Sequence, residues 1–206
     1  TENDWKEANT AAVIAEEYNI NYINFLSSDV VDYDIDTYDG WAHLNPSGAR
    51  KITSYLGQYI TDNYEISDRR GDAISTTWNK DYENYQMKQA GYIEEQSSLA
   101  NILMLLYKTD NDVRIDFNGN YIWKDSKYRS LLSNIGVDTD KLSEKTSAVV
   151  ISNGVATIVT ADNEIENEPL HISLELINGS KVELSFECSL SEDETELVVS
   201  EATKQD

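Results

Sequence analysis

The sequence predicts two unlike parts, an α/β fragment followed by an α+β domain with a mainly antiparallel sheet. Three observations predict it. The first sixty-odd residues read as helix, strand, loop and helix. Beyond residue 110 the apolar period changes from the helical one to two. Asn-Gly pairs at 118–119, 153–154 and 178–179 punctuate the alternating runs as hairpin turns do. Tyrosine divides the chain in the same way, with ten before residue 93 and none after Tyr128.

Taken in order, Trp5 to Tyr18 carries Ala11, Ala12, Ile14 and Ala15 among acids, which predicts a surface helix. Ile20 to Leu26 reads as a short buried strand. An acidic loop follows from Ser27 to Gly40, and Pro46 then opens a helix, at a position where its missing N–H costs nothing. Ile52, Tyr55, Leu56, Tyr59 and Ile60 give that helix an apolar face. One such αβα slice is too little to form a sheet alone. Residues 65–92 read as a polar, Tyr- and Trp-rich connector, and Ile93 to Lys108 as the next strong helix. In the second domain, 93–206, Val113–Phe117 is a strand with Tyr121–Trp123 as its return. Asp125 caps a short helix stopped by Gly136. Hairpins follow at Ala148–Ile151 with Ala156–Thr160 and at Leu170–Ile177 with Lys181–Ser189, and Leu197–Val199 adds an edge strand.

The 206 residues are 40% apolar and carry a net charge of −22. That composition supports a packed core. Nucleic acid is excluded as a partner, because phosphate binding needs clustered Lys and Arg. The charge is uneven, with thirteen acids against two lysines from Ala161 to Asp206. The run Ser191–Glu196 reads as a solubilising edge or frayed end. The single cysteine, Cys188, excludes an internal disulfide and sits in an alternating strand pattern as a structural thiol. No run approaches the ~18 apolar residues of a membrane span. Nor is there a signal peptide, although Thr1 stands where an initiator Met would, which leaves room for a leader that has been cut away.

The chemistry concentrates in Asp36-Thr-Tyr-Asp39-Gly-Trp41-Ala-His43-Leu-Asn45-Pro46-Ser47-Gly48-Ala-Arg-Lys51. A carboxylate and an imidazole lie a few residues apart in a loop just ahead of a helix. In hydrolases a carboxylate holds an imidazole in one tautomer, so that the other ring nitrogen can deprotonate a nucleophile. Nothing before Asp39 has the setting of a nucleophile: Ser27 and Ser28 follow the strand without a glycine-rich turn. The chain therefore reads as the tail of an enzyme. Trp41 is a substrate-side candidate, as an acyl or sugar platform, or else a lid on the helix. Asp29, Asp32, Asp34, Asp36 and Asp39 read as a solvated loop, because the Gly and late Glu of a calcium loop are missing; no metal and no cofactor are expected.

Tyr22-Ile-Asn-Phe25, the acidic loop and Asp39…His43-Leu-Asn-Pro-Ser-Gly-Ala resemble the C-terminal end of an SGNH (GDSL-type) hydrolase domain. Thr53-Ser-Tyr-Leu-Gly-Gln-Tyr-Ile60 and Asp68-Arg-Arg-Gly-Asp72 running on to Trp78 and Tyr82 are similar to its Gram-positive cell-envelope branch, related to teichoic-acid D-alanylation and polysaccharide O-acetylation. The resemblance covers about the first ninety residues. It implies that residues 1–64 end a flavodoxin-like domain, with His43 as general base and Asp39 as its orienter. Asn45 and Ser47 would support them or cap the helix. The spacing between Asp39 and His43 is one residue longer than the family's Asp-x-x-His, which leaves Asp36 as a second candidate orienter. The Gly-Asp-Ser block and the oxyanion donors of the family are not in the chain.

The resemblance further implies a serine esterase or O-acyltransferase, inactive in this chain alone for want of its nucleophile. Its substrate would be an acylated cell-surface polymer or small ester. A membrane-bound acyltransferase would be its partner, and the extracellular face of a Gram-positive-type envelope its location. The competing expectation is a non-catalytic envelope module in which the second domain binds glycan or protein through Trp123, Tyr121 and Tyr128. His171, on a strand whose alternate residues are Leu170, Ile172 and Leu174, is expected to face solvent.

Overall fold

A computed structural model describes residues 2–162, 168–191 and 196–204 of the chain. It divides into two compact units, Thr1–Tyr64 and Glu65–Asp206. The class is α+β: helices with a mainly antiparallel sheet.

In the first unit, α1 (Glu2–Glu17) starts with Glu2 and Asp4 in its first turn, where carboxylates complement the helix dipole. It stops at Asn19, whose left-handed backbone (φ 51°) lets Ile20 N–H return to the Ala15 carbonyl at 2.7 Å. The strand expected over Ile20–Leu26 is not formed. Residues 20–24 carry no regular structure, and Phe25–Ser27 make one 3₁₀ turn capped by the Asn24 side chain. A strand needs a neighbouring strand to hydrogen-bond, and none of the described residues of this unit supplies one. The acidic loop contains a single-turn helix, α2 (Tyr33–Asp36), capped by Asp32. The helix α3 (Pro46–Asn63) begins at the expected proline.

In the second unit the stretch read as a connector carries the longest helix, α4 (Ala73–Glu94). The helix expected over 93–108 is instead split, because Ser98 caps a new one, α5 (Leu99–Leu105), accepting a hydrogen bond from Asn101 N–H. The strands β1 (Asp112–Asp116), β2 (Thr146–Ser152), β3 (Val155–Thr160), β4 (Leu170–Glu175), β5 (Lys181–Phe186) and β8 (Thr203–Lys204) form one antiparallel sheet in the order β3-β2-β1-β4-β5-β8. Asn153 and Gly154 both have positive φ (50° and 72°) and close the β2–β3 hairpin. Cys188–Leu190 (β6) and Leu197–Val199 (β7) form a separate two-stranded ladder, so β7 is not an edge of the main sheet. The acidic stretch between them, 192–195, lies outside the described residues.

The core of this unit lies between the sheet and its helices. Ile115, Leu170, Ile172, Leu184 and Phe186 from the strands and Phe117 just beyond β1 are fully buried, as are Ile93, Ile102 and Leu103 from α4 and α5. Leu131 and Leu132 join them from α6 (Ser126–Asn134), which Asp125 caps by accepting from Tyr128 N–H. The expected return strand at Tyr121–Trp123 is replaced by a 3₁₀ turn, Ile122–Lys124. Asn118 and Gly119 do turn the chain, but both edges of β1 are taken by β2 and β4, leaving no edge for a hairpin partner. Trp123 therefore packs edge-on against Phe117, 4.7 Å between ring centroids, and is 4% exposed. It is core, not the exposed platform that a glycan site needs. Among the described residues no helix is long and apolar enough to cross a membrane.

Candidate active site

The loop between α2 and α3 is a miniature hairpin. Asn45 N–H donates to the Asp36 carbonyl (3.0 Å), Thr37 bridges Leu44, and Tyr38 N–H donates to the His43 carbonyl (2.8 Å). At its tip Gly40 turns the chain with φ 69°. Asp39 fastens the tip from inside: its Oδ1 accepts from the backbone N–H groups of Trp41, Ala42 and His43 at 3.0, 3.0 and 3.2 Å. Its other oxygen, Oδ2, lies 2.6 Å from His43 Nδ1. The three intervening residues are thus absorbed by a turn that the carboxylate itself organises.

The electrostatics follow from that geometry. The His43 ring bond, then the His43 and Trp41 backbone bonds, hold the Asp39 carboxyl well below the usual carboxylate range. An ionised carboxylate can only accept, so Nδ1 is the donor, and in the neutral ring the lone pair is then on Nε2. The imidazole side chain is 80% exposed, which leaves Nε2 open to an incoming group. That is the geometry of an oriented general base. Among the described residues no hydroxyl or thiol is hydrogen-bonded to this imidazole. Ser27 and Ser28 give their hydroxyl protons to the Asn24 and Phe25 carbonyls of their own turn.

Asp36 has a different occupation. It is fully buried, and accepts from Asp32 N–H (2.9 Å), Ser47 Oγ (2.7 Å) and Lys51 Nζ (2.6 Å). Its bonds hold the start of α3 against α2, and the carboxylate bonded to the imidazole is Asp39. Asn45 is the N-cap of α3: its Oδ1 accepts from Ser47 and Gly48 N–H, and its Nδ2 donates to the Ile35 carbonyl at 2.7 Å. Asn45 and Ser47, 1% and 0% exposed, therefore position the hairpin, bonding Ile35, Gly48 and Asp36. Lys51 and Gly48 complete this anchor. A Cβ on Gly48 would collide with the Asp36 carbonyl oxygen. The Lys51 role was not singled out from sequence; its one signal was a lysine one turn beyond Ser47 on a helix that starts beside a cluster of acids.

Trp41 stacks on Tyr33 (6.1 Å, 26°) and is 41% exposed. With Ala42, Tyr22, Phe25, Leu26 and Val31 it lines a groove of about 510 Å³, to which His43 does not contribute. The second histidine, His171, is only partly exposed. Its Nε2 lies 3.2 Å from Glu183 Oε2, which also accepts from Ser173 Oγ at 2.6 Å. Since the serine there bonds the carboxylate and not the imidazole, this trio lacks the order of a catalytic triad. Burial, and then Glu187, push the Cys188 thiol up to about 11, which suits a structural thiol.

Comparison of the chain with protein-family models, with curated proteins and with solved structures gives no match.

Proposed function

We propose that Thr1–Tyr64 is the C-terminal part of a flavodoxin-like SGNH hydrolase domain, and that the protein is a serine esterase or O-acyltransferase acting on acyl esters of a cell-surface polymer. The observation that carries this reading is the 2.6 Å bond from His43 Nδ1 to an ionised Asp39, with Nε2 open. In the complete enzyme a serine hydroxyl from the upstream part attacks the ester carbonyl. His43 Nε2 takes the serine proton and returns it to the leaving alkoxide, and Asp39 stabilises the imidazolium that forms between the two steps. Water or a polymer hydroxyl then receives the acyl group by the same route in reverse. The envelope location and the membrane-bound acyltransferase partner belong to this proposal and rest on the sequence resemblance.

Residues 1–206 alone provide base and orienter without a nucleophile, and the pair stands in water rather than in a closed site. This chain should therefore turn over p-nitrophenyl acetate at close to the buffer rate. The natural polypeptide should react with a fluorophosphonate serine probe, and His43→Ala should slow its esterase activity by roughly 10³-fold or more. Enzyme-like turnover by the isolated chain, unchanged in His43→Ala, would remove His43 from the mechanism. Of the three candidates of the rival reading, a glycan- or protein-binding module, Trp123 fills the core, while Tyr121 and Tyr128 are half-buried.

A further inference from the structure

We infer that the exposed aromatic face of α4 pairs with the same face of a second copy, the two helices running antiparallel. This surface is independent of the esterase reading. From Ala73 to Lys88, sixteen residues, no position of α4 is buried. That length is marginal as a free helix in water, and Ser75-Thr76-Thr77, Asn79 and Asn84 are weak helix formers. The Asp72 cap makes no side-chain hydrogen bond either. The helix therefore needs a partner along its length. Trp78, Tyr85 and Tyr92 recur every seventh residue with Ile74 and Tyr82 beside them, and all five are 41–69% exposed. Seven-residue spacing draws one stripe along a helix, the pattern of a helix–helix seam. Gln86, bonded to Asp110 at 2.9 Å, and the buried Ala90 and Ile93 face the body of the unit about a quarter-turn away, which leaves the stripe open.

Size and charge name the partner. The five side chains present on the order of 600 Å² of surface, and the polar residues between them bring the face near the ~800 Å² per partner of a stable interface. Ala73 to Tyr92 holds two acids and two bases, so the net charge of −22 lies wholly on the rest of the chain. Two copies can meet on this face without net repulsion across it. Asp81 and Lys88 stand on one flank of the stripe, and neither forms an ion pair among the described residues. An antiparallel pair centred on Tyr85 sets Trp78 against the partner's Tyr92 and Asp81 against the partner's Lys88, each contact made twice by symmetry. It also opposes the two helix dipoles. The two cores, each rooted on α4 by Ala90 and Ile93, then lie at opposite ends of the pair.

The test is sedimentation of residues 1–206 from about 1 to about 100 µM, at low and at high salt. With rising concentration the chain should pass from its 23.3 kDa to twice that mass. Salt should strengthen the pair, because it screens the repulsion between the acidic remainders and spares an apolar seam. Trp78→Glu should weaken association roughly 100-fold, and Lys88→Glu, which sets acid against the partner's Asp81, about tenfold. Asp81→Lys combined with Lys88→Glu should restore it. None of these positions is buried, so the unfolding midpoint of the monomer should not move. A monomer throughout that range, or a dimer untouched by Trp78→Glu, overturns the inference. A charge swap that fails to restore association overturns the antiparallel pairing. The natural polypeptide should dimerise likewise; a monomer there would give the stripe to its upstream part and overturn the inference too.

Discussion

In Glu65–Asp206 the deepest side chains are Phe117, Ile115, Leu170, Ile172 and Phe186, apolar groups pressed between a sheet and three helices. In Thr1–Tyr64 they are Asp36, Ser47 and Asn45, polar groups that hold one another. The first arrangement is stabilised by area removed from water, is insensitive to direction, and yields a cooperative core. The second depends on a few directed bonds around one carboxylate. It fixes the hairpin that carries Asp39 and His43 but cannot by itself offset the chain entropy of 64 residues. The difference teaches that the candidate site is held precisely where the unit around it is incomplete in apolar packing.

The largest expected effect lies on the apolar side of this comparison. Phe117→Ala removes the ring that Trp123 packs against and leaves a cavity in the core just beyond the end of β1. It should cost about 3–5 kcal/mol, read as a lowered denaturant midpoint for Glu65–Asp206. An unchanged midpoint would mean that this core is not continuous. On the polar side, Asp36→Ala removes the buried carboxylate that accepts from Lys51 and Ser47. Breaking such a buried pair costs roughly 3 kcal/mol. Amide protection at residues 47–51 should be lost while the midpoint of the second unit stays put, and joint loss of both would refute the two-unit division.

What was legible in the sequence was local. The start of α3 at Pro46, the Asp125 cap and the Asn153-Gly154 hairpin each depend on residues within one turn of one another. The proximity of Asp39 and His43 was legible for the same reason. The burial of Asp36 was not, because it depends on Lys51, fifteen residues on, reaching back over the loop. Long-range competition also explains the two missing strands. Tyr121–Trp123 found both edges of β1 occupied by strands that come later in the chain, and residues 20–26 had the composition of a strand but no edge to join. Residue type sets what a segment can become; the neighbours available decide whether it does.

A smaller effect separates two glycines of the same helix. In an ordinary helix Gly→Ala is favourable by about 0.5–1 kcal/mol. Gly57 has nothing within 4 Å of a built Cβ, so Gly57→Ala should stabilise α3 by that amount. At Gly48 the added methyl meets the Asp36 backbone and lies 3.0 Å from Leu44 Cδ2, so the sign reverses. Gly48→Ala should cost about 1–3 kcal/mol, read as faster amide exchange through the start of α3. Matching shifts for the two variants would show that the close approach of α3 to Asp36 is not maintained in solution.

The smallest effect on stability, and the most informative about the site, is that of Asp39→Asn. The folded Asp39 carboxyl is held below its ordinary range, chiefly by the His43 ring bond, so its contribution is fully present above the unfolded value of about 4 and is lost as pH falls through the lower folded one. The Nδ1–H tautomer of neutral His43 should therefore dominate at pH 8, seen in the ring ¹⁵N shifts, and the Asp39–His43 contact should survive acidification to pH 4. An asparagine in place of Asp39 can offer an amide donor as readily as an acceptor, and either ring tautomer can then bond to it. The neutral ring should shift toward Nε2–H, whose remaining lone pair points into the loop instead of outward. Unchanged ¹⁵N shifts in Asp39→Asn would show that the carboxylate does not set the tautomer, and the base would then have to be oriented from outside this hairpin.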